Sequence, residues 1–490
     1  MGINNPCALL DRLLQQPVEN EWLEFKANNS NPTEIAEYIS ALANGAMLAD
    51  RDRAFYVLGI EDGTKARVGT SVKLKQLMKG GENFENWLSH SIEPRLTMEL
   101  VDFTCDGLDF GIICIEPSYD RPVRFGGVEF IRVGQNKRRL AEFPDRERAL
   151  WLATGRRKFE HATALANQTA EDAFTLLDFD QYYELSGETR PGNNDEIIRR
   201  FIGLGFLADN MEGGFDITNL GAILFAKNIG KFPSIASKAI RIVRYTGNDK
   251  QKSDREQQGS RGYAVGFSGM VKYTMDHIGH EETYVSGVRK LTPQYPEIAI
   301  REILANALIH QDFTITGAAP TLEIYASRIE VTNPGSSLID TDRLLDERRS
   351  RNEKLASSMR ALGLCEERGG GLDKTMIEVE QRGLPAPEFI SSENSMKVVL
   401  FGPRSFSAMT KQDKQRACFF HCVLKWMKRD FMTNASLRER FSLPPEEYQA
   451  VSGVISEAIK AGRIVSATES QGGRGAKYVP YWAAPKKTTQ

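Results

Sequence analysis

The chain has 490 residues, with 63 Lys and Arg against 65 Asp and Glu and a formal charge of -2. That balance excludes a uniformly basic coat, so any nucleic-acid surface must be local. A hydrophobic content of 41% beside 26% charged residues is that of a soluble globular protein of several domains, and no apolar run approaches the roughly 18 residues of a membrane span.

Taken in order, residues 1–150 read as a mixed α/β unit. Glu21-Trp22-Leu23-Glu24-Phe25-Lys26 alternates polar and apolar, which predicts a strand with Leu23 and Phe25 toward a core and Glu24 and Lys26 on the opposite face. Thr33 is the predicted cap of a helix carrying Ile35, Ala36, Ile39, Leu42 and Ala43. The apolar run from Ala54 to Ile60 predicts a buried strand ending at Glu61-Asp62-Gly63, with further strands at 98–103, 110–116 and 129–133. Residues 151–290 form a connecting α/β region with a strand at 239–245. Its segment 247–262 is polar and reads as an exposed loop or partly disordered insert. Residues 291–404 form a second α/β unit, with a helix from Pro296, paired strands at 321–325 and 328–332, and a stop at Asn333-Pro334-Gly335. In 405–490, helices near 416–428, 434–440 and 446–461 precede a strand at 464–467, a turn at Gly472-Gly473-Arg474-Gly475 and a strand at 477–479, the order of a winged helix. This tail carries about twice as many basic as acidic residues, a local basic surface. A winged helix that binds protein partners fits the same order. The predicted fold class is multidomain α/β (α+β).

The first chemical signal is acidic. Glu19 and Glu24 fall before and on the first strand, and Glu61 and Asp62 at the end of the buried strand, so neighbouring strands could bring these carboxylates together. Converging carboxylates repel unless a cation compensates them, and Mg²⁺ or Mn²⁺ held by two or three of them can position water against a phosphodiester. Lys26 on the same strand face adds positive charge. Solvated surface charge fits the same spacing.

The stretch Glu19 to Lys26, then Tyr38-Ile39-Ser40-Ala41-Leu42-Ala43-Asn44, Gly59-Ile60-Glu61-Asp62-Gly63, Arg121-Pro122-Val123 and Phe130-Ile131-Arg132-Val133-Gly134 together resemble the Alba-like domain of Schlafen proteins. The resemblance implies nucleic-acid engagement. For the endoribonuclease members it implies metal-dependent cleavage of RNA, notably transfer RNA, with Glu19, Glu24 and Asp62 as metal ligands and Lys26 beside them. Many bacterial relatives are described only as DNA-binding. Vertebrate members pair two such lobes in one chain, whereas one copy is found here, which implies a homo-oligomer.

The second signal is a helix stripe. In Arg301-Glu302-Ile303-Leu304-Ala305-Asn306-Ala307-Leu308-Ile309-His310, the polar residues Glu302, Asn306 and His310 recur every four positions opposite an apolar face. Such a stripe fits an ordinary solvated helix face, and it also suits a nucleotide, since Asn oxygen can ligate Mg²⁺ and Glu can polarise water. Asn333-Pro334-Gly335, Arg351-Asn352 and Arg368-Gly369-Gly370-Gly371 supply turns where backbone can approach phosphate. The segment resembles a divergent GHKL ATP-binding fold. That resemblance implies Mg²⁺ at Asn306, Glu302 as water-activating base, Gly335, Gly369, Gly370 and Gly371 shaping the pocket, and Arg351 meeting phosphate. Asn333 stands where well-known members carry the aspartate that reads adenine.

His277 with His280, and Cys418 with His421 and Cys422, lack the second ligand pair of a closed zinc site. Six cysteines are too few for a disulfide scaffold of this length, and with no secretory leader in Met1-Gly2-Ile3-Asn4-Asn5 the expectation is a cytoplasmic protein with reduced thiols and no membrane partner. The leading functional expectation is an ATP-binding protein that engages and cleaves nucleic acid, RNA or DNA, with ATP controlling assembly; family association alone points to phage defence. The alternative is a non-enzymatic, ATP-binding, DNA-binding transcriptional regulator, and a partner-binding scaffold is a third.

Overall fold

Asn31, not Thr33, caps the first long helix, α1 (Pro32–Leu48): its side-chain oxygen accepts from the backbone N–H groups of Thr33 at 3.1 Å and Glu34 at 3.4 Å. Pro32 follows with its φ already helical and no N–H to satisfy, so the helix starts earlier than the apolar period alone implies. The computed structural model describes residues 3–16, 20–134, 136–154, 159–285, 288–366, 370–467 and 475–484, with backbone alone over 281–285 and 288–291. Glu19, Gly369, and the turn residues Gly472, Gly473 and Arg474 lie outside the described residues. The chain divides into one unit of Met1–Ala173 with Asn193–Asn219 and another of Phe174–Gly192 with Leu220–Gln490.

In the first unit, β1 (Leu23–Lys26) runs parallel to β2 (Ala54–Leu58), which pairs antiparallel with β4 (Leu108–Ile115), itself antiparallel to β3 (Met98–Cys105). The sheet order is β1-β2-β4-β3. A second sheet carries β5 (Val128–Val133) and, at its edge, β6 (Asn136–Arg139). One face of α1 buries Ile35, Ile39 and Leu42. Its polar residues Ser40 and Asn44 are also buried, with a structural role. Ser40 Oγ and Asn44 Nδ2 each donate to the Val123 carbonyl at 2.8 Å, and Asn44 Nδ2 also reaches the Phe130 carbonyl at 2.8 Å. Buried amide and hydroxyl groups are thereby satisfied by the backbone of the second sheet, which fixes its position against the helix. A three-stranded sheet of Thr163–Gln168, Phe215–Thr218 and Leu207–Asp209 completes this unit. The thiols depart from expectation: Cys7 and Cys105 form a disulfide, while Cys114, Cys365, Cys418 and Cys422 are free.

The second unit is built on a six-stranded sheet of β7 (Arg241–Tyr245), β8 (Ser253–Gln258), β9 (Thr321–Ile324), β10 (Arg328–Pro334), β11 (Glu388–Ser391) and β12 (Ser395–Phe401), in the order β8-β7-β9-β10-β12-β11. β8 corrects the reading of 247–262 as loop. Every residue of it is exposed, so no apolar alternation marks it. It is an edge strand formed by pairing with β7 and crossed by the ion pairs Arg241–Glu256 at 2.6 Å and Arg244–Asp254 at 3.7 Å. α2 (Glu297–His310) packs on β10; α3 (Glu353–Ala361) follows it in the chain, and α4 (Gly371–Gln381) packs against α2.

The tail adds α5 (Lys411–Met427), α6 (Asn434–Arg440) and α7 (Tyr448–Lys460), then an antiparallel pair, β13 (Ile464–Ser466) and β14 (Tyr478–Pro480). Thr410 with Asp413 and Thr433 with Ser436 form reciprocal caps at the starts of α5 and α6. Cys418 and Cys422 sit in the apolar core of these helices with Phe419, Val423, Leu437 and Ile455. Leu345, Met376 and Ala386 of the preceding α/β domain belong to the same core. No described helix is long and apolar enough to cross a membrane.

Candidate functional sites

β1 brings three of the predicted N-terminal residues together. Lys26 Nζ lies 2.6 Å from Glu24 Oε1 and 2.9 Å from Asp62 Oδ2. The expected two-faced strand is buried on both faces: Leu23, Glu24 and Phe25 are all 0% exposed. Glu24 survives there because Arg132, on β5 and itself fully buried, pairs with Glu24 Oε2 and donates to the Leu23 carbonyl at 2.7 Å. A buried charge needs such a partner. Asp62 is half exposed at the end of β2, and Glu61 accepts from the Thr64 hydroxyl at 2.6 Å.

This arrangement bears on the implied divalent metal. Both oxygens of Glu24 already face cationic groups, and its side chain is 1% exposed. Among the described residues, Glu24, Asp62, Lys26 and Arg132 balance as two negative and two positive charges, with Glu19 outside them. As placed, Glu24 offers no free ligand position, and no group of three or more His, Cys, Asp or Glu among the described residues could hold a metal ion. Arg132 is the residue the sequence reading left without a role. Its signal was an arginine inside the apolar strand Phe130-Ile131-Arg132-Val133, where an unpaired charge would be expensive.

The second constellation forms a cavity of about 300 Å³, large enough for a small-molecule ligand. Glu302, Asn306 and His310 reach it from α2, Asn333 from the end of β10, and Gly371 from the start of α4. Phe389, Met396 and Val398 supply an apolar wall from β11 and β12. Glu302 is 5% exposed, and burial raises its pKa above the usual carboxylate value. Its carboxylate is packed against the start of α4: a Cβ on Gly371 would lie 2.0 Å from Glu302 Oε2. Burial, with the charges of Arg351 and Arg360 nearby, pushes the His310 pKa down to about 4, so its imidazole is neutral at neutral pH. Asn333 Nδ2 donates to the Pro334 carbonyl at 3.2 Å, which turns its Oδ1 acceptor the other way.

Two predicted pocket residues act behind the wall instead. Arg351 pairs with Asp312 at 2.9 Å and donates to the Ser336 carbonyl at 3.1 Å; it does not line the cavity. Gly335 adopts φ +95°, and a Cβ there would lie 2.7 Å from Asp312 Cβ, so the turn after β10 closes on Asp312 only with glycine. Arg348, Arg349 and Arg360 line the cavity and were not predicted. In sequence they sit outside any glycine turn, and only the packing of α3 and of the loop before it turns them inward.

An Alba-like lobe and a GHKL-type nucleotide fold are the classes these two sites define. The family described as "Schlafen, AlbA_2" matches residues 19–141, and that described as "Putative ATP-dependent DNA helicase recG C-terminal" matches residues 317–400. The chain therefore carries a Schlafen AlbA_2 domain and an ATPase-like domain of GHKL type, the architecture of an ATP-binding, nucleic-acid-related protein. The second match begins after α2, so Glu302 and Asn306 lie outside it. No curated protein matches the chain. Among solved structures, the DIP2311 protein from Corynebacterium diphtheriae aligns over 96% of this chain and 96% of its own at 17% identity and a TM-score of 0.43.

Proposed function

We propose that the protein is an ATP-responsive, nucleic-acid-binding regulator in which ATP acts as a ligand. The observation that carries this is the convergence of Glu302, Asn306, Asn333 and Gly371 on one cavity. In this reading the Asn306 amide oxygen holds Mg²⁺ of the bound nucleotide. The N-terminal lobe contacts the phosphate backbone, aided by Arg138 and Arg139, which are exposed on edge strand β6. The tail, read as a winged helix, adds a second basic surface, and pairing of two chains completes the groove that one lobe leaves half-built.

Full-length protein titrated with Mg²⁺·ATP tests the nucleotide site. Ligand binding to the native state at a hundredfold excess over Kd adds about 2.7 kcal/mol. The parent should show a rising melting temperature that an Asn306→Ala variant loses; equal shifts in both would refute the site.

A second reading, metal-dependent cleavage of RNA with transfer RNA favoured, draws on the closeness of Glu24, Lys26 and Asp62. It requires Lys26 to leave the carboxylates. Incubation with transfer RNA and with duplex DNA, with and without Mn²⁺, separates the two: binding without cleavage supports the regulator, and cleavage abolished by Asp62→Ala supports the nuclease.

A further inference from the structure

The cations around the nucleotide cavity are unequal. Arg351 is taken by Asp312, Lys374 by Glu366 at 2.6 Å, and Arg343 by Asp346 at 2.7 Å and Glu347 at 3.0 Å. Two arginines that line the cavity, Arg349 and Arg360, have no acidic partner among the described residues. Arg349 is exposed on the loop before α3. Arg360 is half-buried on α3, one turn beyond Ala356, which lines the same cavity. It stands close enough to His310 and Cys365 for its charge to oppose protonation of one and favour ionisation of the other. A half-buried guanidinium beside neutral imidazole and thiol groups has lost water without gaining a counter-ion among the described residues.

The acids nearby do not fill that role. Glu347 and Glu366 are held by Arg343 and Lys374, and burial favours the protonated form of Glu302. The cavity also receives the start of α4, an 11-residue helix whose cap, Gly370, supplies no side-chain acceptor for its first N–H groups. An arginine with no acidic partner among the described residues, placed in the wall of a cavity, favours an anion there.

We propose that Arg360, with Arg349 across the loop, binds the phosphate chain of the nucleotide, and that Arg351 instead braces the turn behind it. This rests on the ATP reading of the cavity and narrows the ligand to a nucleoside di- or triphosphate rather than a nucleoside. Arginine suits the task because its planar fork can engage two phosphate oxygens at once.

Calorimetric titration of the full chain with Mg²⁺·ATP and, separately, with adenosine tests it. Arg360→Ala should weaken ATP binding by at least about tenfold, in line with loss of one charge-assisted contact, while adenosine affinity and melting temperature stay at parental values. Arg360→Lys should recover part of the loss, since lysine keeps the charge and not the fork. Unchanged ATP affinity in Arg360→Ala would overturn the assignment and leave the ATP site standing. Equal weakening for adenosine would overturn it too, by making Arg360 a wall residue. A parent that binds neither ligand would sink the ATP reading and this assignment together.

Discussion

Two glutamates of this chain are buried to nearly the same degree, and their surroundings could hardly differ more. Glu24 has cationic groups at both oxygens, from Arg132 and Lys26, and no route to solvent. Glu302 has a glycine against its carboxylate, a cavity in front of it and burial raising its pKa. The first carboxylate is matched by two cations within the fold; the second lines a cavity, with the Glu366 backbone N–H as a hydrogen-bond donor. Burial of an acidic residue therefore says little about its use until its counter-charges are known.

The sharpest way to break the comparison is to strip Glu24 of its partner. Arg132→Met should destabilise the protein by about 3–5 kcal/mol, the cost of leaving a buried charge without its main counter-ion. Adding Glu24→Leu in the same chain should restore most of that loss, as urea unfolding would report. A smaller effect is expected at the other site. Gly371→Ala forces a methyl group into the Glu302 carboxylate, whose Oε2 and Cδ would lie 2.0 and 2.6 Å away. The atoms met are the end of a flexible side chain with a cavity beside it. The methyl group should therefore displace Glu302 into the cavity and lower ATP affinity, while reducing stability, read from the denaturant midpoint, by less than the roughly 1–3 kcal/mol of full overpacking.

The smallest effect is a matter of pH. Because burial raises the folded pKa of Glu302 above its ordinary 4.5, the folded form holds this proton more tightly than the unfolded chain. Its contribution to stability is complete below that ordinary value and is lost as pH climbs through the raised one. Glu302→Gln removes the decline. The variant's stability relative to the parent should be level in acid, rise through the window above 4.5 and flatten at higher pH, in unfolding curves collected across that range.

Parts of this contrast were legible in the residues alone. The four-residue recurrence of Glu302, Asn306 and His310 set three cavity residues on one face of a helix, because helical geometry is local. Leu23 and Phe25 announced a strand for the same reason. The fate of Glu24 was hidden, since it turns on Arg132 arriving from a strand far along the chain, and no local pattern encodes that meeting. β8 was hidden for a related reason: a strand exposed on both faces carries no apolar signal and exists through its pairing with β7. The GHKL resemblance made Arg351 a phosphate ligand, and it pairs with Asp312 because the neighbouring Asn352 holds this turn against the end of α2 through the Ile309 and Gln311 carbonyls.

The core joining the tail to the nucleotide-binding domain bears on how such chains can be recombined. Leu345, Met376 and Ala386 are covered by α5 and its neighbours. Glu380, on α4, meets His421 at 2.7 Å and Arg440 at 3.4 Å, while Arg343 lies over the Trp482 ring at 4.7 Å. Severing the chain near Arg404, where the sequence changes character, would bare three apolar side chains and strip Glu380 of both partners. A tail borrowed from a relative would need to bring the matching apolar face and the same buried histidine. Domains that read as separable in the sequence thus share one core, and α4, which meets the cavity at Gly371, packs with the tail at Met376.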